Sequence, residues 1–189
     1  MIPFEKNRSY RRFYQNVEIA ESDLKKMVDA ARLSPSSRNV QPIKFFMCND
    51  KSFNARIFPL LGWAGYLKEW SGPEDGERPS GYIILLHDKN ISAGYSCDNG
   101  IFAQSILLQA VDLGYGGCMI ATYDKPQLSQ LLKLPEYLEP ILVIAIGKPK
   151  EIVVIDDVNN GDIKYFRDEQ QVHHVPKRSL EELIYRMDS

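Results

Sequence analysis

The sequence predicts a layered α+β domain, and three observations carry that expectation. Residues 22–33 place Leu24, Met27, Val28 and Ala31 on one face at helical spacing. Two short runs, 82–86 and 141–146, are apolar throughout and have the length of strands covered on both sides. Helical and strand-like segments then alternate along the chain, which suits helices layered on a sheet.

Taken in order, the first helix occupies 22–33 with Ser22 as its N-cap, and Ser34-Pro35 stops it. A strand over 43–48 leads into a helix around 52–61. The stretch 62–81, rich in Gly, Pro and aromatics, is too long for an idle connection and reads as a lid or a packed functional loop. A strand follows over 82–87, then an almost wholly apolar helix over 99–113 with Asp98 as cap and Gly114 just past its end. A short strand covers 117–121. Pro126 opens a helix with Leu128, Leu131 and Leu132 inward, and a strand covers 141–146. After Pro149 the pattern loosens to a strand-like 152–155 and an Asn-Asn-Gly turn. A helix over 179–187, with Ser179 and Glu182 spaced as a capping box, closes the chain. The segment 151–189 has Val153, Val154 and Val172 but no evident core of its own, so it either packs on another subunit or folds back.

At 189 residues the chain suits one domain over 1–189, of a size that buries about 70% of its unfolded surface and needs no disulfide or metal to hold it. A net charge of −2, from 23 basic and 25 acidic residues, gives no global field for nucleic acid or anionic lipid. Cys48, Cys97 and Cys118 are too scattered for a disulfide framework or a zinc or iron–sulfur site, a usage that fits the cytoplasm. Charges stand in the N-terminal stretch where a signal peptide needs apolar residues, and no apolar run reaches the ~20 residues of a membrane span.

No dinucleotide or P-loop glycine motif, serine elbow or zinc-protease motif occurs. His173 and His174 are adjacent, so their side chains diverge on extended backbone and with His87 make a poor metal set. Two basic clusters stand out. Arg8-Ser9-Tyr10-Arg11-Arg12 lies near one end, and Pro176-Lys177-Arg178-Ser179 opens a capped helix near the other. Arginine forks and a helix start together suit an anion, although each cluster alone also reads as the solvated end of a surface element. The third feature is Pro35-Ser36-Ser37-Arg38-Asn39-Val40-Gln41-Pro42, either a platform of hydroxyls and amides for a flat heteroaromatic ring or a turn that satisfies its own backbone.

In this order the elements resemble the nitroreductase family of flavoproteins. Asn7-Arg8-Ser9-Tyr10-Arg11 corresponds to the family's R-R-S-x-R opening, and the 35–42 loop to its P-S-x-x-N-x-Q-P. The turn Gly114-Tyr115-Gly116-Gly117-Cys118-Met119-Ile120 after a buried helix is similar to the family too. So are Leu134-Pro135-Glu136, Ile146-Gly147-Lys148-Pro149 and Val175-Pro176-Lys177-Arg178-Ser179.

The resemblance implies a three-layer α+β homodimer, its mostly antiparallel sheet flanked by helices. It further implies FMN at the subunit interface and a C-terminal dimer arm, 151–189, crossing to the partner. Arg8, Ser9, Lys177 and Arg178 would hold the FMN phosphate, and Arg11 would sit at the N1–O2 edge of the ring, where a cation stabilises the charge gained on reduction. Pro35, Ser36, Ser37 and Asn39 would line the ring or ribityl chain from the partner subunit, and backbone near Ile120 and Ala121 would offer an N–H to N5. Asn7 replaces the first arginine of the opening motif and removes a charge that Arg12 or Lys177 would have to supply, and Ile43 stands where the family often has an aromatic. In the 62–81 loop Trp63 reads as core and Trp70 as a lid residue that stacks on the substrate. The implied function is transfer of electrons from NADH or NADPH to a nitroaromatic or quinone by a ping-pong cycle, with no side-chain acid or base, since FMN carries the chemistry. Dehalogenation, dehydrogenation or flavin breakdown on the same cofactor, a non-enzymatic FMN binder, and a cofactor-free structural dimer are the alternatives.

Overall fold

Gly81–Asp88 is buried at every position, as the middle of a sheet covered on both faces must be. In the computed structural model, which describes residues 4–187, this strand (β2) lies between β1 (Ile43–Cys48) and β4 (Leu138–Gly147). β3 (Gly116–Ile120) closes the far side, giving the order β1-β2-β4-β3 with every pair antiparallel. Side chains alternate between the faces. Ile83, Leu85 and Ile144 meet Leu24 and Met27 of α1 (Glu21–Arg32) and Ile106 of α3 (Asp98–Asp112). Ile84 and Val143 point the other way, toward Ile57 of α2 (Lys51–Ile57) and Leu128 of α4 (Lys125–Leu131). Each such fully buried aliphatic side chain contributes about 1.5–3 kcal/mol. The result is the helix–sheet–helix α+β domain that the sequence predicts.

The helix starts differ from expectation. α1 begins one residue earlier, with Ala20 in the N-cap position and no side-chain cap, so Ser22 lies inside the helix. Asp98 is likewise the first residue of α3 rather than its cap, because its carboxylate is engaged by the 36–37 loop. α2 and α4 are capped by Asp50 and Asp124. The last helix, α5 (Leu180–Leu183), has the expected capping box but only four residues.

The largest departure lies in the C-terminal segment. It contains β5 (Val153–Asp157), β6 (Phe166–Arg167) and β7 (His173–Lys177), a second sheet of order β5-β7-β6 in which β5 and β7 are parallel. The segment thus forms a sheet yet, among the described residues, adds none to either hydrophobic core cluster, and its buried Glu151 and His173 lie against Arg11. Residues 188–189 of the expected arm lie outside the described residues, and no crossing to a partner is part of this single-chain structure.

As alternation on a strand requires, His173 and His174 face opposite ways. His174 Nδ1 lies 2.7 Å from Asp156 Oδ2 and its Nε2 3.2 Å from Asp168 Oδ2, with Phe166 stacked on the ring at 4.7 Å. Asp168 and Asp156 hold its imidazolium above the ordinary histidine range. A raised folded-state pKa gives stability that is complete below the unfolded value of about 6.5 and is lost as pH rises through the folded value. Amide exchange protection of β5 and β7 is therefore expected to fall across that window, and His174→Gln to flatten the dependence. Protection independent of pH in the parent protein would refute the clamp.

Candidate active site

β3 is an edge strand, and residues 8–11 run along its open side. Ser9 bridges Gly117, and the Tyr10 N–H donates to the Gly117 carbonyl at 3.0 Å. A Cβ on Gly117 would strike the Ala145 carbonyl, so only glycine lets β3 sit this close to β4. Because the Gly117 carbonyl faces outward, strand alternation turns the N–H of Met119 the same way, and that of Ala121 one step beyond the strand end. Ile120 faces β4 instead. The N–H of Ile120 is thus turned toward β4, while Met119, which sequence reasoning passed over, presents its N–H to the open side.

Beside this edge is a pocket of about 260 Å³ lined by Arg11, Trp63, Met119, Ile120, Ala121 and Tyr165, among others. Among the described residues no carboxylate lines it. Trp63 Nε1 is buried without a hydrogen-bond partner, and so is Arg8 Nε nearby in the chain. Donors, a guanidinium and aromatic walls suit a flat, electron-accepting ligand that gains negative charge.

Arg11 is fixed by a network that sequence reasoning missed. Its backbone N–H donates to Glu151 Oε2 at 2.8 Å, and its Nη1 donates to the Ser9 carbonyl at 3.1 Å. Its guanidinium carbon lies 4.9 Å from the centre of the Tyr165 ring. Arg11 Nη1 also lies 3.3 Å from His173 Nε2. Glu151 Oε1 in turn accepts from Arg167 Nη2 at 2.7 Å and Nε at 3.2 Å. Glu151 and His173 lie 140 and 162 residues from Arg11 in the chain, beyond any local pattern.

The 62–81 loop is packed rather than free. Trp63 forms part of the pocket wall, while Trp70 sits behind it, edge-on at 6.4 Å and under Arg167 at 4.1 Å. Gly72 adopts φ +127° and leaves no room for a Cβ, which would lie 2.6 Å from Trp63. The loop's far end is anchored by Glu77, which accepts from Arg12 at 2.6 and 2.8 Å and pairs with Lys150 at 2.9 Å. Arg12, hydrogen-bonded there, holds the Glu77 carboxyl down to about 2. Arg12 is therefore committed and does not replace the charge lost at Asn7.

The 35–42 loop lies elsewhere. The Ser36 hydroxyl donates to Asp98 at 2.6 Å, the Ser37 N–H donates to the same carboxylate at 2.9 Å, and Gln41 Nε2 donates to Asn39 at 3.1 Å. Asp98 of α3 thus holds Ser36 and Ser37, the Gln41–Asn39 bond closes within the loop, and Pro35 precedes it. The loop feeds β1, at the opposite edge of the sheet from β3. Three strand spacings separate those edges by roughly 14 Å. Lys177 ends β7, and Arg178 pairs with Glu182 at 3.7 Å. A single chain thus joins Arg11, Ile120 and Ala121 around one pocket, leaves Arg8 and Ser9 along the same strand edge but outside its lining, and keeps Pro35, Ser36, Ser37 and Asn39 at another edge.

The fold is an α+β domain with a pocket beside the edge of its main sheet. The family model "Nitroreductase family" matches residues 5–65 and 87–148, and the chain belongs to that family. It is 27% identical over 157 residues to an FMN reductase [NAD(P)H] of Bacillus subtilis, covering 74% of this chain and 62% of that protein. With a Cr(VI) reductase of a Pseudomonas species it shares 26% over 157 residues, covering 76% and 64%. The chain thus spans somewhat under two thirds of either relative. A solved FMN-dependent nitroreductase from Clostridium difficile superposes with a TM-score of 0.65 at 26% identity, covering 92% of this chain and 98% of that one. Trp70 and the Glu151–Arg167–His173 network fall outside the segments that the family model matches.

Proposed function

We propose that this protein is an FMN-dependent oxidoreductase that passes electrons from NADH or NADPH to an electron-poor acceptor such as a nitroaromatic or quinone, donor and acceptor using the same pocket in turn. The observation that carries this function is the carboxylate-free pocket with Arg11 fixed at its wall, in a chain of the nitroreductase family. FMN, when bound, supplies hydride acceptance and donation. Arg11 provides a permanent cation beside the ring, and the outward N–H groups of Met119 and Ala121 donate to its edge. Trp63 and Tyr165 exclude water and offer aromatic surface to a flat acceptor.

At about 260 Å³ the pocket is smaller than the roughly 300–1,000 Å³ of a whole-ligand site. It would accommodate part of the cofactor, and a second copy of the chain would supply the rest: the 35–39 loop around the ring, with Lys177 and Arg178 at the phosphate alongside Arg8 and Ser9. A homodimer with an arm that reaches across is part of this proposal. Three unpaired cysteines support a cytoplasmic setting, and no helix among the described residues is long and apolar enough to cross a membrane.

The test is whether the purified protein is yellow and its flavin is reduced by NADH or NADPH in stopped flow, then reoxidised by a quinone. A colourless protein that takes up no FMN would end the proposal. Arg8→Ala and Arg178→Ala are each expected to weaken FMN binding by about 1.5–3 kcal/mol, the scale of one charged hydrogen bond. Fluorescence titration of the apoprotein measures this. Unchanged affinity in both variants would leave these arginines as solvated surface.

A further inference from the structure

We propose that His173 is a positioning residue that holds Arg11 against the pocket by accepting a hydrogen bond at Nε2, and so tunes the redox potential of the flavin that Arg11 faces. This rests on the flavin function proposed above. An arginine can only donate, so at 3.3 Å from Arg11 Nη1 the His173 Nε2 must carry a lone pair. The ring's proton then resides on Nδ1, a buried atom with no hydrogen-bond partner that faces Glu151 Oε1 at 4.0 Å. A protonated His173 would have no acceptor to offer and would set a second charge against Arg11.

The surroundings keep the ring neutral. His173 is fully buried between Arg11, Arg167, Glu151 and the Tyr165 ring at 5.2 Å, with His174 next in the chain. Burial pushes its imidazole down to about 4; Glu151 opposes this, while Arg11, Arg167 and His174 add to it. Glu151 accepts from the Arg11 backbone N–H and from Arg167, and the Arg11 guanidinium is directed to Ser9 and His173 instead. Loss of the Nε2 acceptor leaves the guanidinium only the Ser9 carbonyl and the Tyr165 face, and frees it to swing from the pocket wall.

The experiment uses FMN-loaded full-length protein. His173→Leu removes the acceptor and is expected to lose about tenfold in preference for reduced over oxidised FMN, equal to about 30 mV for a two-electron couple. His173→Gln, which retains an acceptor, is expected to recover most of that loss. Nitrogen-15 NMR of the unsubstituted holoprotein gives an answer that needs no variant to fold. It is expected to show His173 as the neutral Nδ1–H tautomer across neutral pH, and an Nε2–H tautomer or a protonated ring there would overturn the proposal. Arg11→Ala separates the two levels. If it leaves the potential unchanged, Arg11 does not face the flavin and the role of His173 fails with it. If it shifts the potential and His173→Leu does not, the flavin function stands and the positioning proposal alone falls.

Discussion

Glu151→Ala is expected to destabilise the protein by about 3–5 kcal/mol, the cost of removing one member of a buried ion pair. The Glu151 carboxylate is wholly shielded from solvent, and the Arg167 side chain that it pairs with is 9% exposed. Alanine would strand the Arg167 guanidinium and the Arg11 backbone N–H together. Glu151→Gln keeps acceptor oxygen in place and should lose less than half as much. Urea denaturation monitored by tryptophan fluorescence measures both, and an alanine variant within about 1 kcal/mol of the parent would show that solvent reaches this cluster.

Trp70→Ala comes next, at roughly 2–3 kcal/mol: below the range for a fully buried tryptophan, because Trp70 is only half-buried. Its ring packs between Trp63 and Arg167, so the loss should appear as a lower Tm, with KM for aromatic acceptors changed much less. Because Glu151 and Trp70 share Arg167, the double variant should fall short of additivity by more than about 0.5 kcal/mol. An unaltered Tm with a raised KM would instead make Trp70 the lid that its polar, Pro/Gly-rich neighbourhood suggests.

Strands such as Ile43–Cys48 and the helix through Leu24, Met27 and Ala31 were legible because burial writes a local period into the sequence. The basic opening motif stood out in the sequence, and the structure runs Ser9 along the edge of β3 and sets Arg11 in the pocket wall. Glu151, Tyr165, Arg167 and His173 were not legible. Each is a single polar or aromatic residue in a loosely patterned segment, and its meaning lies in partners far along the chain. Ser36 was ambiguous for a physical reason: a hydroxyl able to meet a ligand is equally able to meet Asp98, and here it does. Trp63 packs against the core as its apolar neighbours Leu60, Leu61 and Ala64 suggested, whereas the packing of Trp70 under Arg167 lay beyond any local pattern.

The separation between Arg11 and its partners, 140 residues to Glu151 and 162 to His173, has a kinetic consequence. Contacts that close such long loops pay the largest entropic toll and form after local and sheet contacts have reduced the search. The main sheet can therefore collapse while the pocket wall is still open. Interactions made that late are missing from the folding transition state, so whatever fills the pocket acts as a brake on unfolding and leaves the rate of folding untouched.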